Sequence, residues 1–283
     1  MARPWIEFLY AQKLPWNTGL YGGARADVES KILSIDDTAG DSSTLIRYPA
    51  GWERTTPEVL TAEEEFFILD GSIEINGRTY ARECYANFPA GYVRESACSP
   101  EGCVALTFFD SEPQLYDDQS GEYDKKDLIE FLNTFDMKWD SATADPSLEW
   151  MGNRRKVLKW DREYDQKQTF LFTTPPHIYP DNWACPTLTH PCVEESFMLS
   201  GEITGPFGRM NEGAYFWRPE GKPHGPFGTR GGGFTLIRFK YGAHVNVWGK
   251  NDVPYHFDFE YNPELPPNLA HLGDAPYEGL ERF

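Results

Sequence analysis

The stretch LTHPCVEESFMLSG (residues 188–201) sets a histidine, His190, four residues before a glutamate, Glu194. A further histidine, His224, follows in PEGKPHG (219–225). Imidazole and carboxylate are side chains that bind transition metals or move protons near neutral pH. An earlier stretch, EVLTAEEEFFILDG (58–71), repeats the glutamate, the apolar run and the closing glycine, but has no histidine. No Gly-x-Ser-x-Gly element occurs, and no cysteine–histidine pair has a hydrolase context. Nucleophilic catalysis of that kind is therefore unsupported.

The two stretches belong to a longer internal repeat. At an offset of 130, Glu64 falls on Glu194, Gly71 on Gly201, Pro89 on Pro219, Gly91 on Gly221 and Phe109 on Phe239. Upstream, an offset of 125 aligns Lys31-Ile32-Leu33 with Lys156-Val157-Leu158; the second copy then gains about six residues, TPPHIY. A duplication of this length predicts two homologous domains. Their expected limits are 1–115 and 153–283, joined by an acidic connector over 116–152. Each copy reads as short strands. FFILDGSIEING (66–77) is a β-rich run that alternates and ends in an Asn-Gly turn, and CVALTFFD and FTLIRFKYG are buried-strand candidates. One helix is expected, over DKKDLIEFLNTF (124–135), with Asp124 as N-cap and Leu128, Ile129 and Leu132 on one face. On a strand, Leu188 and His190 point to the same side.

Bulk composition narrows the partners. Lys and Arg number 26 against 44 Asp and Glu, a net charge of −18 that repels nucleic acid and anionic membranes. The partner expected instead is a small molecule, and aromatic residues at 15% suit an all-β core or an aromatic-lined pocket. The five cysteines are odd in number and lack zinc-type pairing, which suits reduced thiols. MARPWIEFLYAQKLPW has no hydrophobic signal core, and no apolar run approaches a membrane span, so a cytoplasmic location is expected.

The second copy reads Asn182, five residues, Leu188-Thr-His190, three residues, Glu194, six residues, Gly201; later come Gly213, five residues, Pro219-Glu-Gly221, two residues, His224. This resembles the cupin superfamily, whose motifs are G(X)5HXH(X)3–4E(X)6G and G(X)5PXG(X)2H(X)3N. The resemblance spans both repeats, about 160 of the 283 residues. It implies an all-β bicupin, two tandem barrels of jelly-roll type, each with a central pocket. Carried over by position, it makes His190, Glu194 and His224 ligands of one divalent metal per chain, converging from neighbouring strands. Leu188 stands where the family has its first histidine, leaving two imidazoles and a carboxylate. That is the composition of the non-haem iron facial triad; Fe(II) is favoured, and Zn, Mn, Ni and Co also suit these donors.

In the first copy Glu64 remains, but the histidine positions hold Pro57 or Glu58, then Val59 or Leu60, and Arg94 replaces the last histidine. An ion pair between Glu64 and Arg94 is expected there, without metal. His177, in the inserted segment, reads as a surface-loop histidine with a replacement ligand as the alternative; Cys192 reads as a buried apolar cysteine with the same alternative. His244, His256 and His271 match no motif and are expected at the surface or an interface. Of Tyr215, Phe216 and Trp217, alternate residues could line a cavity or simply pack. The resemblance leaves several activities open, since bicupins include dioxygenases, decarboxylases, isomerases and storage proteins. The leading expectation is an Fe(II) dioxygenase of a small oxygenated or aromatic molecule, with His190, Glu194 and His224 at its centre. The alternatives are a redox-neutral isomerase, lyase, decarboxylase or hydrolase, in which Glu195 could act as base only if a bulge turned it inward, and a non-catalytic binding module. Cupin barrels commonly dimerise, so a homodimer is also expected.

Overall fold

The computed structural model describes residues 3–19, 21–116, 121–141, 146–163 and 166–283. It is predominantly antiparallel β and jelly-roll-like, and among the described residues every helical turn is of 3-10 type. No helix among them is long and apolar enough to cross a membrane.

The chain divides into two units, Met1–Arg3 with Leu14–Met137, and Pro4–Lys13 with Lys138–Phe283. In the first, the main sheet runs Ile129–Asn133, Cys84–Phe88, Glu64–Ile75, Cys103–Phe109, Ser42–Tyr48, Glu29–Ile35 and Asn17–Thr18. In the second it runs Ile6–Tyr10, Ala214–Arg218, Val193–Gly205, Gly233–Lys240, Lys167–Thr174, Arg154–Trp160 and Asp140–Ser141. The two orders correspond strand for strand, and so does the register. Glu64 lies opposite Phe109 and Phe88, and Glu194 lies opposite Phe239 and Arg218. The glycines that close the paired stretches have the same cause in both. Gly71 (φ 67°) and Gly201 (φ 78°) sit in the left-handed region, and a Cβ would meet the carbonyl oxygens of Gly102 at 2.0 Å and Gly232 at 2.2 Å. No other residue fits.

Both departures from expectation occur at the same place, the sheet edge. The helix expected over 124–135 is absent. Asp124 instead accepts from the Lys126 amide in a turn, and Ile129–Asn133 is a bulged strand antiparallel to Cys84–Phe88, with Leu132 opposite Tyr85. Its apolar residues satisfy either periodicity, and pairing with an open edge supplies backbone partners that a short isolated helix lacks. Residues 4–13, expected in the first domain, fill the corresponding edge of the second unit. Ile6–Tyr10 pairs antiparallel with Ala214–Arg218, also through a bulge, with Phe8 at φ 57°. The first unit reaches Met137 rather than stopping at 115, because its edge strand comes from the expected connector.

Candidate metal centre

His190, Glu194 and His224 meet in the second unit, buried, with one potential ligand atom from each lying within 4.8 Å of the others. Glu194 is the second residue of Val193–Gly205, and its Oε2 is 3.8 Å from His190 Nε2 and 3.5 Å from His224 Nε2. His190 follows the strand Ala184–Thr189. His224 is bridged to Leu188 by reciprocal main-chain hydrogen bonds of 3.0 Å, which brings it beside His190 with ring centres 4.9 Å apart. Leu188 points into the same cavity.

Hydrogen bonding sets the state of each donor. His190 Nδ1 donates to the Val245 carbonyl and His224 Nδ1 to the Lys222 carbonyl, both at 3.0 Å. A carbonyl only accepts, so each Nδ1 carries a proton and each Nε2 faces Glu194. Burial, reinforced by the Arg218 charge, pushes the His224 imidazole down to about 3, so it is neutral. For Glu194, burial works toward the protonated acid, but Arg218 and the two histidines outweigh it and hold the carboxyl at about 2. Two imidazoles whose Nε2 atoms face one ionised carboxylate form a donor set that fits a divalent metal.

Arg218 and Glu7 complete the centre, and neither was identified from the sequence. Arg218 donates to Glu194 Oε2 at 2.7 Å and, through its Nε and Nη2, to both oxygens of Glu7. Trp5 Nε1 also donates to Glu7, at 3.2 Å. Burial disfavours the guanidinium charge, and the two carboxylates outweigh it, so Arg218 titrates above its ordinary value. The repeat holds the only signal for Arg218, a charge at the strand position occupied by Phe88 in the first copy; for Glu7 there was none.

His244 was expected at the surface or an interface; it lines the cavity instead. Its ring stacks on Phe239 (centroids 3.7 Å apart, planes 12° apart) and stands 4.7 Å from that of His190, and burial pushes it down to about 3. His256 and His271 are exposed, as expected. His177 is 9% exposed rather than on a surface loop, and lines the cavity without joining the triad. Cys192 packs with Phe170 and Phe239, and burial pushes its thiol up to about 12. It is an apolar core residue. Glu195 faces away, accepting from Tyr215 Oη at 2.9 Å and from Arg238 Nη1, as Glu65 accepts from Tyr85 Oη in the first unit. No bulge turns it inward. Phe216, alone of the aromatic trio, lines the cavity.

The cavity around the triad is about 210 Å³, with Phe8, Phe172, Met210, Phe216, Phe227 and Phe239 in its wall. The corresponding space in the first unit is about 20 Å³, little more than one water. Charged side chains fill it, among them Arg94, which lies over the Phe88 ring. Glu64 accepts from Arg94, as expected, and through both of its oxygens from Arg25 Nη2, at 2.8 and 2.9 Å, while Glu58 pairs with Arg25 and Arg54. Arg25 comes from outside the repeat alignment and was not foreseen. A guanidinium on each side of Glu64 leaves no place for a cation.

The fold is shared with solved proteins at low identity. A candidate dioxygenase of Nostoc punctiforme superposes with a TM-score of 0.73 at 18% identity, over 89% of this chain and 87% of that one. Oxalate decarboxylase of Lactobacillus farciminis gives 0.54 at 11% (86% and 88% covered), and that of Bacillus subtilis 0.52 at 12% (86% and 78%). These likenesses concern the fold and accord with the cupin resemblance. No curated protein sequence matches. Residues 12–246 match the family described as "Domain of unknown function (DUF4437)", and the chain belongs to that family.

Proposed function

We propose that this chain is a metal-dependent enzyme, a non-haem Fe(II) dioxygenase acting on a small oxygenated or aromatic molecule in the second-unit cavity. The observation that carries the reading is the convergence of two imidazole Nε2 atoms and one ionised carboxylate in a cavity large enough for a ring. His190, His224 and Glu194 would hold the ion. When bound, it would supply a Lewis-acidic and redox-active position with room for further oxygen donors. The chain's own residues do the rest. The Val245 and Lys222 carbonyls keep both imidazoles in the metal-binding tautomer, Arg218 keeps Glu194 charged and oriented, and the phenylalanine wall keeps water from the reacting groups. Glu195 is locked by Tyr215 and Arg238, which argues against it as a base in the redox-neutral alternative.

Elemental analysis of protein purified without chelators tests the metal. Close to one ion per chain is expected, lost in His190→Ala and His224→Ala. Oxygen uptake across a panel of catechols and 1,3-diketones tests the reaction. Turnover that is undiminished under anaerobic conditions, or retained with redox-inert Zn, would move the enzyme to the isomerase, lyase or hydrolase class. Absence of any ion under metal-replete purification would end the metal reading.

A further inference from the structure

Two buried polar atoms in the same cavity have no hydrogen-bond partner within the protein, His177 Nε2 and Asn153 Oδ1. They are not remote from each other in the fold. The main chain of Met151 hydrogen-bonds the His177 ring through its other nitrogen, and Asn153 lies two residues on. With the Nδ1 proton engaged by that carbonyl, Nε2 is an acceptor, as is Asn153 Oδ1. Leaving such atoms buried and unpaired costs about 1–3 kcal/mol each, so a fold keeps them where something else supplies the donor. His177 is also fixed rather than loose. It is 9% exposed, its main chain bridges to Thr229, and Trp150 packs edge-to-face on its ring at 5.5 Å.

We propose that His177 Nε2 and Asn153 Oδ1 form an acceptor pole that recognises an O–H or N–H group on a small aromatic substrate. Volume, wall and charge agree on that class. An apolar cavity of about 150 Å³ takes benzene, so about 210 Å³ takes one ring with a few substituents. The ring would lie among phenylalanines. A carboxylate at the pole is disfavoured, because Arg218 is the one cationic side chain among the described lining residues and is already held by Glu7 and Glu194. A hydroxyl or amine matches two acceptors; an oxalate-like dianion does not. The inference rests on this cavity being the substrate site of the function proposed above, and it adds what the substrate must carry. His177 and Asn153 are positioning residues in this scheme and take no part in bond making.

The test uses the full chain stripped of metal with EDTA, titrated with phenol and with toluene, two molecules of nearly equal size that differ in one O–H donor. Tryptophan fluorescence reports binding, since Trp150 touches His177. One buried hydrogen bond should make phenol bind roughly threefold to tenfold tighter than toluene. His177→Phe and Asn153→Leu should each bring that ratio to one or below, with toluene affinity within about twofold of wild type. Unfolding curves identify a variant that fails to fold, and the other then decides. Equal affinities in wild type, an unchanged ratio in the folded variants, or no binding of either molecule would overturn the proposal. Because no metal is present, a phenol preference in a chain that binds no ion would count against the metal reading alone. A metal-binding chain with no preference would count against the acceptor pole alone.

Discussion

Glu7→Gln is the most informative single change outside the triad. Glu7 is fully buried and meets Arg218 through two hydrogen bonds, while Arg218 in turn holds Glu194. The amide keeps the shape and one acceptor but removes the charge, so the guanidinium remains buried with a single carboxylate. Removing one partner of a buried ion pair costs about 3–5 kcal/mol, and the isosteric amide should fall at the lower end, about 3. Solvent screening gives little relief, since the two side chains are 0% and 4% exposed. At about 2–4 °C per kcal/mol, the calorimetric transition of the second unit should drop by about 6–12 °C. The same change draws Glu194 further toward Arg218, so metal affinity measured by chelator competition should weaken by about tenfold or more. A melting shift below about 2 °C with unchanged metal affinity would refute the reasoning, since it would mean that Glu7 does not support the centre.

Three further outcomes follow from the same geometry. Leu188→His restores a third imidazole on the His190 side of the cavity, and metal affinity should rise by at least about tenfold; no change would show that the side chain cannot reach the ion. Glu195→Gln should lower stability through the lost Arg238 pairing while leaving metal content and turnover intact; loss of turnover at full metal loading would reinstate Glu195 as a base. In the first unit, burial pushes Glu64 toward the acid, but Arg25 and Arg94 outweigh it and hold its carboxyl below the ordinary 4.5. Its contribution is therefore present above about pH 4.5 and is lost as pH falls through the lower folded value. The first unit's thermal midpoint should fall on acidification below pH 4.5, and Glu64→Gln should lower it at pH 7 and flatten that slope; an unflattened slope would place the acid-sensitive group elsewhere.

Much of the site was legible because it is written in fixed spacings. His190, Glu194 and His224 share one cavity because the repeat preserves strand lengths, and a strand of set length turns each side chain to a set face. The Glu64–Arg94 pair was legible for the same reason. Contacts without a spacing were not. Glu7 meets Arg218 across 211 residues, Arg25 reaches Glu64 from before the aligned region, and His244 folds back on His190 from a segment past the last motif. Residues 124–135 misled for a different reason. A short amphipathic segment satisfies helix and strand periodicity nearly equally, and what decided was an unpaired edge at Cys84–Phe88 that the segment itself does not encode.

The strand Ile6–Tyr10 emerges from the ribosome long before Ala214–Arg218. At 5–20 residues per second, the 211 positions between Glu7 and Arg218 correspond to roughly 10–40 s of translation. The equivalent edge of the first unit, Cys84–Phe88, is made well before Ala214–Arg218 and stays open to the nascent strand until its own edge strand, Ile129–Asn133, follows. Docking there would bring Glu7 against Phe88, stranding a carboxylate in an apolar interior at a cost of several kcal/mol. The single difference between Phe88 and Arg218 thus works as an address. It tells an early-made strand which of two look-alike berths to refuse, and it makes closure of the candidate metal centre one of the last events in the maturation of the chain.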